Sequence, residues 1–240
     1  KMIYISPDGV YNQLNLNTLK KPDGDFVLNR YDLVIIGNSK DLIALKAKKP
    51  GAPRKSAFLL GFPDYATSEI SSLPGTKTEV DGVARLLKAS GYQISQFMEK
   101  QATEANVKAI KGPALVHIAT HGYFLKDVEG GGGSVFGVNA ENATNNPLLR
   151  SGLILAGAGK SISGGGTDIS SNDNGVLTAY EAMNLNLEGT DLVVLSACET
   201  GLGDVKSGEG VYGLQRAFLV AGADAMIMSL WKVDDAATQQ

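Results

Sequence analysis

The chain of 240 residues is 43% hydrophobic and 20% charged, with a formal net charge of −3; it is an ordinary globular composition, long enough to bury a substantial core. The slight acidity argues against a dedicated nucleic-acid binder, and no run approaches the ~20 apolar residues of a membrane helix. One cysteine excludes an internal disulfide and fits a reducing compartment, here taken as the cytoplasm.

The start, KMIYISPDG, is already strand-like and carries no secretory apolar segment. MIYISPDGVYNQLNL reads as an N-terminal β-hairpin, with Pro7-Asp8-Gly9 turning the chain between two β-rich runs. YDLVIIGN is a third strand. The basic run Lys46, Lys48, Lys49, Arg54 and Lys55 follows it. No aromatic residues interleave with that run as base stacking requires, so it reads as a solvated connector.

From AFLLGFP onward the pattern alternates strand and helix. Residues 57–61 are almost all apolar, as expected of a strand covered on both faces. In LPGTKTEVDGVARLLKASGY, Thr76 and Glu79 have the spacing of a capping box. Val80, Val83, Ala84 and Leu87 then form one helical face, which Gly91 ends. Residues 92–98 read as a strand, 103–111 as a short helix, and 114–120 as an apolar strand ending at His121. Such order with short links predicts a mostly parallel sheet with helices on both faces.

Residues 125–175 break the rhythm. GGGGS, NAENATNN and SISGGGTDISSNDNG are polar and glycine-rich around one apolar segment, SGLILAGA. They predict mobile loops at 125–150 and 158–175 flanking a strand or hairpin. Neither GxxxxGK[ST] nor GxGxxG occurs there, so nothing points to a nucleotide. The alternation then resumes with a helix over 176–185, a strand over 192–197, a helix over 210–221 and a strand in AMIMSLW. VDDAATQQ ends as another helix begins at Asp234 or Asp235, so the sequence reads as a segment of a longer protein.

The chemistry concentrates at two strand ends. ALVHIATHGYF runs apolar residues into His121-Gly122, and DLVVLSACETGLG runs them into Cys198. In open α/β sheets, reacting groups gather at the carboxyl ends of strands. A thiol of pKa ~8.5 is mostly protonated near neutrality, and a neighbouring imidazole can take its proton. Attack of the thiolate on a carbonyl creates an oxyanion, for which the backbone N–H groups of Gly122 and Cys198 are candidate donors. The bland alternatives are a buried, inert Cys198 and a structural His117. HxxxH on a strand with no third ligand at a telling spacing does not make a zinc site. Ser196 lacks the GxSxG elbow of a serine hydrolase. Glu199, beside the thiol, can orient a substrate or support its loop. No residue that would orient His121 is identifiable from the sequence.

HIATHGYF, LLRSGLILAGA, GVLTAYEAMNLNLEGTDLVVLSACETGLG, GEGVYGLQRAFLVAGADAMIMSLWKVDDAAT and the earlier LPGTKTEV together resemble a CHAT domain, of the caspase–separase–gingipain clan of cysteine peptidases. The resemblance covers nearly the whole chain. It implies an α/β fold, a caspase-like three-layer sandwich, spanning residues 56–240 and truncated at its C-terminus, after an N-terminal region of residues 1–55. It implies hydrolysis of peptide bonds in a protein substrate, with His121 as general base, Cys198 as nucleophile, and Gly122 and Cys198 as oxyanion donors. No cofactor and no metal enter that chemistry. Ser229 to Trp231 resembles the segment lining the substrate backbone groove.

Asp234 and Glu199 belong to an acidic stretch over 191–235, which reads either as solvated loop and helix-cap acids or as a surface that favours substrates with Lys or Arg nearby. Arg150 stands ready either to receive an acidic group or to pair within the fold. The resemblance further implies an upstream tetratricopeptide-type or sensor region and a role in bacterial defence, and the loops expected to be mobile over 126–175 are candidate sites of control by cleavage or ordering. The competing reading is a catalytically silent caspase-like module that binds protein partners.

Overall fold

The computed structural model describes residues 1–7, 11, 14–36, 39–47, 54–125, 134–135, 138–163, 173–197 and 209–228. The chain divides into two compact units, Lys1–Pro53 and Arg54–Gln240.

In the first unit, strand β1 (Met2–Ile5) pairs in parallel with β2 (Asp32–Ile35), in a register running from Met2 opposite Asp32 to Ile5 opposite Ile35. The expected N-terminal hairpin is therefore corrected: β1 finds its partner some thirty positions on. Of the expected second strand, Tyr11 and residues 14–16 are described, and none of them is in a strand. A local reason is visible at Asn15. Its side chain accepts from the Asn17 amide and its carbonyl accepts from the Thr18 hydroxyl, which winds Leu16–Thr18 into a 3-10 turn. Such side-chain bonds compete with a ladder for the backbone. A second 3-10 turn, Val27–Asn29, precedes β2, and helix α1 (Asp41–Ala47) follows it.

The second unit begins at Arg54, so the basic run is not one connector. Arg54 Nη1 donates to the Gly112 carbonyl at 3.1 Å, and Lys55 Nζ to the Ser90 carbonyl at 2.8 Å. β3 (Ser56–Pro63), α2 (Pro74–Ala89), β4 (Gln93–Glu99), α3 (Glu104–Lys108) and β5 (Leu115–Ala119) build the first half. β6 (His121–Phe124), β7 (Ser134–Val135), β8 (Val138–Asn139), α4 (Ala140–Asn145) and β9 (Ser151–Ile154) come next. The chain closes with α5 (Ala158–Ser163), β10 (Val176–Thr178), α6 (Ala179–Ala182), β11 (Leu192–Ser196), α7 (Glu209–Val220) and β12 (Met226–Met228).

The central sheet is parallel, in the order β12-β11-β5-β3-β4. Alternation along the strands makes it the middle of a three-layer sandwich. Ala57, Leu59 and Ala119 face Val80 and Ala84 of α2. Phe58, Leu60, Val116, Ile118, Val193 and Leu195 face the opposite layer, made of Val107 on α3, Ala179 and Ala182 on α6, and Leu214, Ala217 and Phe218 on α7. Each fully buried Leu or Phe here contributes about 1.5–3 kcal/mol of transfer free energy. This is the α/β, caspase-like arrangement expected from the sequence.

A second, antiparallel sheet in the order β10-β9-β6 lies over a core of its own, with Tyr65, Tyr123, Leu149, Ile154 and Val176. At Gly152 a Cβ would stand 2.4 Å from the Leu177 carbonyl and 2.6 Å from the Tyr123 ring, so only glycine admits that ring.

Two local expectations change. α2 begins at Pro74, whose missing N–H costs nothing in a first turn. Thr76 is thus inside the helix: its hydroxyl donates to the Leu73 carbonyl and accepts from the Phe62 amide. The capping box sits at Thr178 and Glu181 instead, so 176–178 is a strand and the helix starts only at Ala179. Within the stretches expected as mobile loops, the described residues form β7, β8, α4 and α5, and Val138, Ala143, Leu149 and Ala158 are buried, while β9 is the strand expected between them. The glycine runs at 126–133 and 164–172 lie outside the described residues.

Candidate active site

β5 and β11 are parallel neighbours, paired from Leu115 opposite Leu192 to Ala119 opposite Ser196. The contact continues past the ladder, where the Thr120 amide donates to the Ser196 carbonyl at 3.2 Å. Thr120 immediately precedes His121, and Ser196 is two residues before Cys198. Parallel strands stand about 4.8 Å apart, so the two ends singled out in the sequence issue side by side from one rim of the sheet. Cys198, Glu199, Ser229, Trp231 and Asp234 themselves lie outside the described residues.

His121 is placed by a break between two sheets. β5 ends at Ala119, and His121 opens β6, paired with Ile154 of β9. Gly122 is buried beside it, opposite Leu153. The imidazole is only 5% exposed, and its Nε2 lies 2.7 Å from the Ser71 carbonyl. A carbonyl oxygen accepts and cannot donate, so Nε2 carries a proton. In the neutral ring, Nδ1 is then the basic nitrogen. The Tyr65 ring packs against the imidazole with centroids 5.4 Å apart.

The orienting group missing from the sequence reading is therefore the main chain of Ser71, on the loop between β3 and α2. A carbonyl acceptor leaves no residue-type signal. The one residue-type signal of the loop's approach to β6 is Tyr65, an aromatic in a largely polar stretch.

Beneath these strand ends sits a second group that sequence reasoning assigned elsewhere. Glu79, expected to close a capping box, turns from α2 toward the sheet. Its Oε2 accepts from the Ser196 hydroxyl at 3.0 Å. Its Oε1 stands 3.1 Å from His117 Nε2, an ion-pair distance without hydrogen-bond alignment. One carboxylate thus spans the two strands that lead to His121 and Cys198. Ser196, the weak nucleophile candidate, is occupied by this contact. His117 and His121 belong to different strands of different sheets.

A further buried cluster ties down the segment before β10. Glu104 Oε2 accepts from the amides of Asn174 and Gly175, and Oε1 pairs with Lys108, which also reaches Glu181 at 2.8 Å. Burial is the main force pushing the Glu104 carboxyl from the ordinary 4.5 up to about 7, with repulsion from Glu181 adding to it against the hydrogen bond from Lys108. Burial acts the same way on Glu181, but hydrogen bonds from Lys108 and Thr178 outweigh it and hold that carboxyl below the usual range.

The folded chain thus binds a proton on Glu104 at a higher pH than the unfolded chain does. The resulting stabilisation is full below about pH 4.5 and is lost as pH rises through about 7. The thermal midpoint is expected to fall as pH rises from about 4.5 to about 7, and Glu104→Gln to flatten that slope. Melting curves across the range check both.

Arg150 pairs within the fold, its Nε donating to the Ala143 carbonyl at 2.8 Å. Among the described residues, no group of three or more His, Cys, Asp or Glu side chains is placed to hold a metal ion, and no helix is long and apolar enough to cross a membrane. Compared with known proteins, the chain matches the family model of the CHAT domain over residues 1–240. No curated protein matches it.

Proposed function

The chain belongs to the CHAT domain family, caspase-like and related to peptidases, and from that premise we propose that it is a cysteine endopeptidase acting through His121 and Cys198. The observation that carries the reading is the pairing of the two strand ends, β5 beside β11, with the His121 imidazole fixed through Nε2 on the Ser71 carbonyl.

In the proposed reaction, Nδ1 of His121 takes the proton of the Cys198 thiol, and the thiolate attacks the scissile carbonyl carbon. The N–H groups of Gly122 and Cys198 receive the oxyanion. Collapse breaks the C–N bond, and the imidazolium returns its proton to the leaving amine. Water, deprotonated by the same nitrogen, then hydrolyses the thioester and regenerates the thiol. No metal or cofactor takes part. Substrate contacts by Glu199, Ser229, Trp231 and Asp234, control by an upstream helical-repeat or sensor region, a cytoplasmic setting and a role in bacterial defence belong to the same proposal and rest on the family resemblance.

A peptidyl acyloxymethyl ketone tests the reading, because Cys198 is the chain's single thiol. The folded chain is expected to gain one adduct, mapped to Cys198, at a rate that drops in His121→Ala and is indifferent to a chelator. Equal labelling of folded and urea-unfolded chain would show an ordinary thiol and contradict the proposal, leaving a silent interaction module.

A further inference from the structure

His121 is held at its backbone as well as its ring, and both restraints come from one loop. The Tyr65 hydroxyl lies 3.0 Å from Thr120 Oγ1, and it accepts from the His121 amide at 3.4 Å. The Thr120 hydroxyl in turn donates to the Ile154 carbonyl. That last bond fixes the direction of the others. Thr120 has spent its only proton on Ile154, so it must accept from Tyr65, and Tyr65 must accept from His121.

The result is a one-way chain, from the His121 N–H to Tyr65 Oη, to Thr120 Oγ1, to the carbonyl of Ile154. Ile154 is the residue paired with His121 across β6 and β9, so the chain closes on the strand that neighbours the one carrying the base. Tyr65, Thr120 and His121 are 3%, 0% and 5% exposed, which leaves bulk water little opportunity to replace a broken link.

The loop that brings Tyr65 is itself pinned. Its carbonyl accepts from the Gly159 amide, the Asp64 carbonyl from the Gly157 amide, and Asp64 Oδ1 from the Ala66 amide. Phe62 and Ala66 on either side adopt φ of +50° and +57°, a left-handed conformation that costs a residue with a Cβ about 1–2 kcal/mol. The Thr76 hydroxyl bonds the Phe62 amide and helps hold that turn. The same loop supplies the Ser71 carbonyl to Nε2.

We infer that Tyr65 is a positioning residue for the proposed reaction: its hydroxyl fixes the backbone of His121 while its ring and the Ser71 carbonyl fix the imidazole plane, so that Nδ1 is aimed before substrate arrives. The inference rests on the His121–Cys198 reading. It assigns Tyr65 no contact with substrate and no proton of the reaction. Its effect passes through His121 alone.

The test is the pH dependence of Cys198 alkylation by iodoacetamide, followed by intact mass on the 240-residue chain. Activation by an oriented imidazole places the inflection of the parent chain well below the ~8.5 of a free thiol. Tyr65→Phe keeps the ring and removes the hydroxyl. It is expected to move the inflection up by about one pH unit, which lowers the rate at pH 6.5 about tenfold. Thr120→Val cuts the same chain one link further on and is expected to shift the inflection in the same direction.

Superimposable profiles for both variants and the parent would overturn the inference. So would a uniform slowing at every pH with the inflection unmoved, since that marks a loss of folded chain and not of aim. The dyad reading fails in a different way: the parent itself then shows an inflection near 8.5 that His121→Ala leaves in place.

Discussion

His121→Ala is expected to reduce turnover of an unfolded protein such as denatured casein by about 10²–10⁴-fold, the usual worth of a positioned general base. Cys198→Ala is expected to reduce it further, by at least about 10⁴-fold, because no thioester can form. The two effects are not additive. Once the thiol is absent the imidazole has no proton to take, so the double variant should match Cys198→Ala alone. Neither change should unfold the chain. His121 leaves a modest cavity at a sheet end, and β11 is held by Val193, Leu195 and Ala197, all buried and all unchanged. Digestion rates measured beside melting curves separate lost chemistry from lost fold. A His121→Ala variant as fast as the parent would remove this residue from the mechanism.

Glu79→Ala should have the largest effect on stability. The side chains of Glu79 and His117 are 13% and 6% exposed, so truncation leaves His117 and the Ser196 hydroxyl without a partner and with little water to replace it. Orphaning buried polar groups of this kind costs about 3 kcal/mol. In a unit of this size that corresponds to a thermal midpoint lower by about 6–12 °C. Glu79→Gln keeps an acceptor for Ser196 and should lose less than half as much. The damage would also reach the site, because the carboxylate bridges β5 and β11, the strands that lead to both proposed catalytic residues. Unchanged melting in Glu79→Ala would show that the contact contributes nothing measurable.

These expectations depend on features that were unequally legible in the sequence. The strands at 57–61, 114–120 and 192–197 could be read because strands covered on both faces require unbroken apolar runs. Their ends then picked out His121 and Cys198 without further information. The pair of T-x-x-E patterns was ambiguous in a physical sense: Thr178–Glu181 caps a helix, whereas Thr76–Glu79 does not. Pro74 starts that second helix three residues early and frees Glu79 to reach the sheet. Nothing local distinguishes the two patterns, since the outcome depends on what α2 packs against.

The hairpin failed for a related reason. Pro7-Asp8-Gly9 is a fair turn signal, but the better partner for β1 lay far along the chain, and strand pairing is decided by such long-range choices. The Ser71 carbonyl was beyond reach from sequence, because every residue has one. Tyr65 was visible as a residue and its role was not, for that role consists of two hydrogen bonds to groups more than fifty positions away.

The central claim is that the thiol of Cys198 breaks peptide bonds in proteins. Its most direct test is a profile of newly formed peptide N-termini in a mixed cell extract, comparing the parent chain with Cys198→Ala. The account predicts a set of new termini sharing a sequence preference around the cut, present with the parent and absent with Cys198→Ala. The same set of termini from both proteins would contradict it.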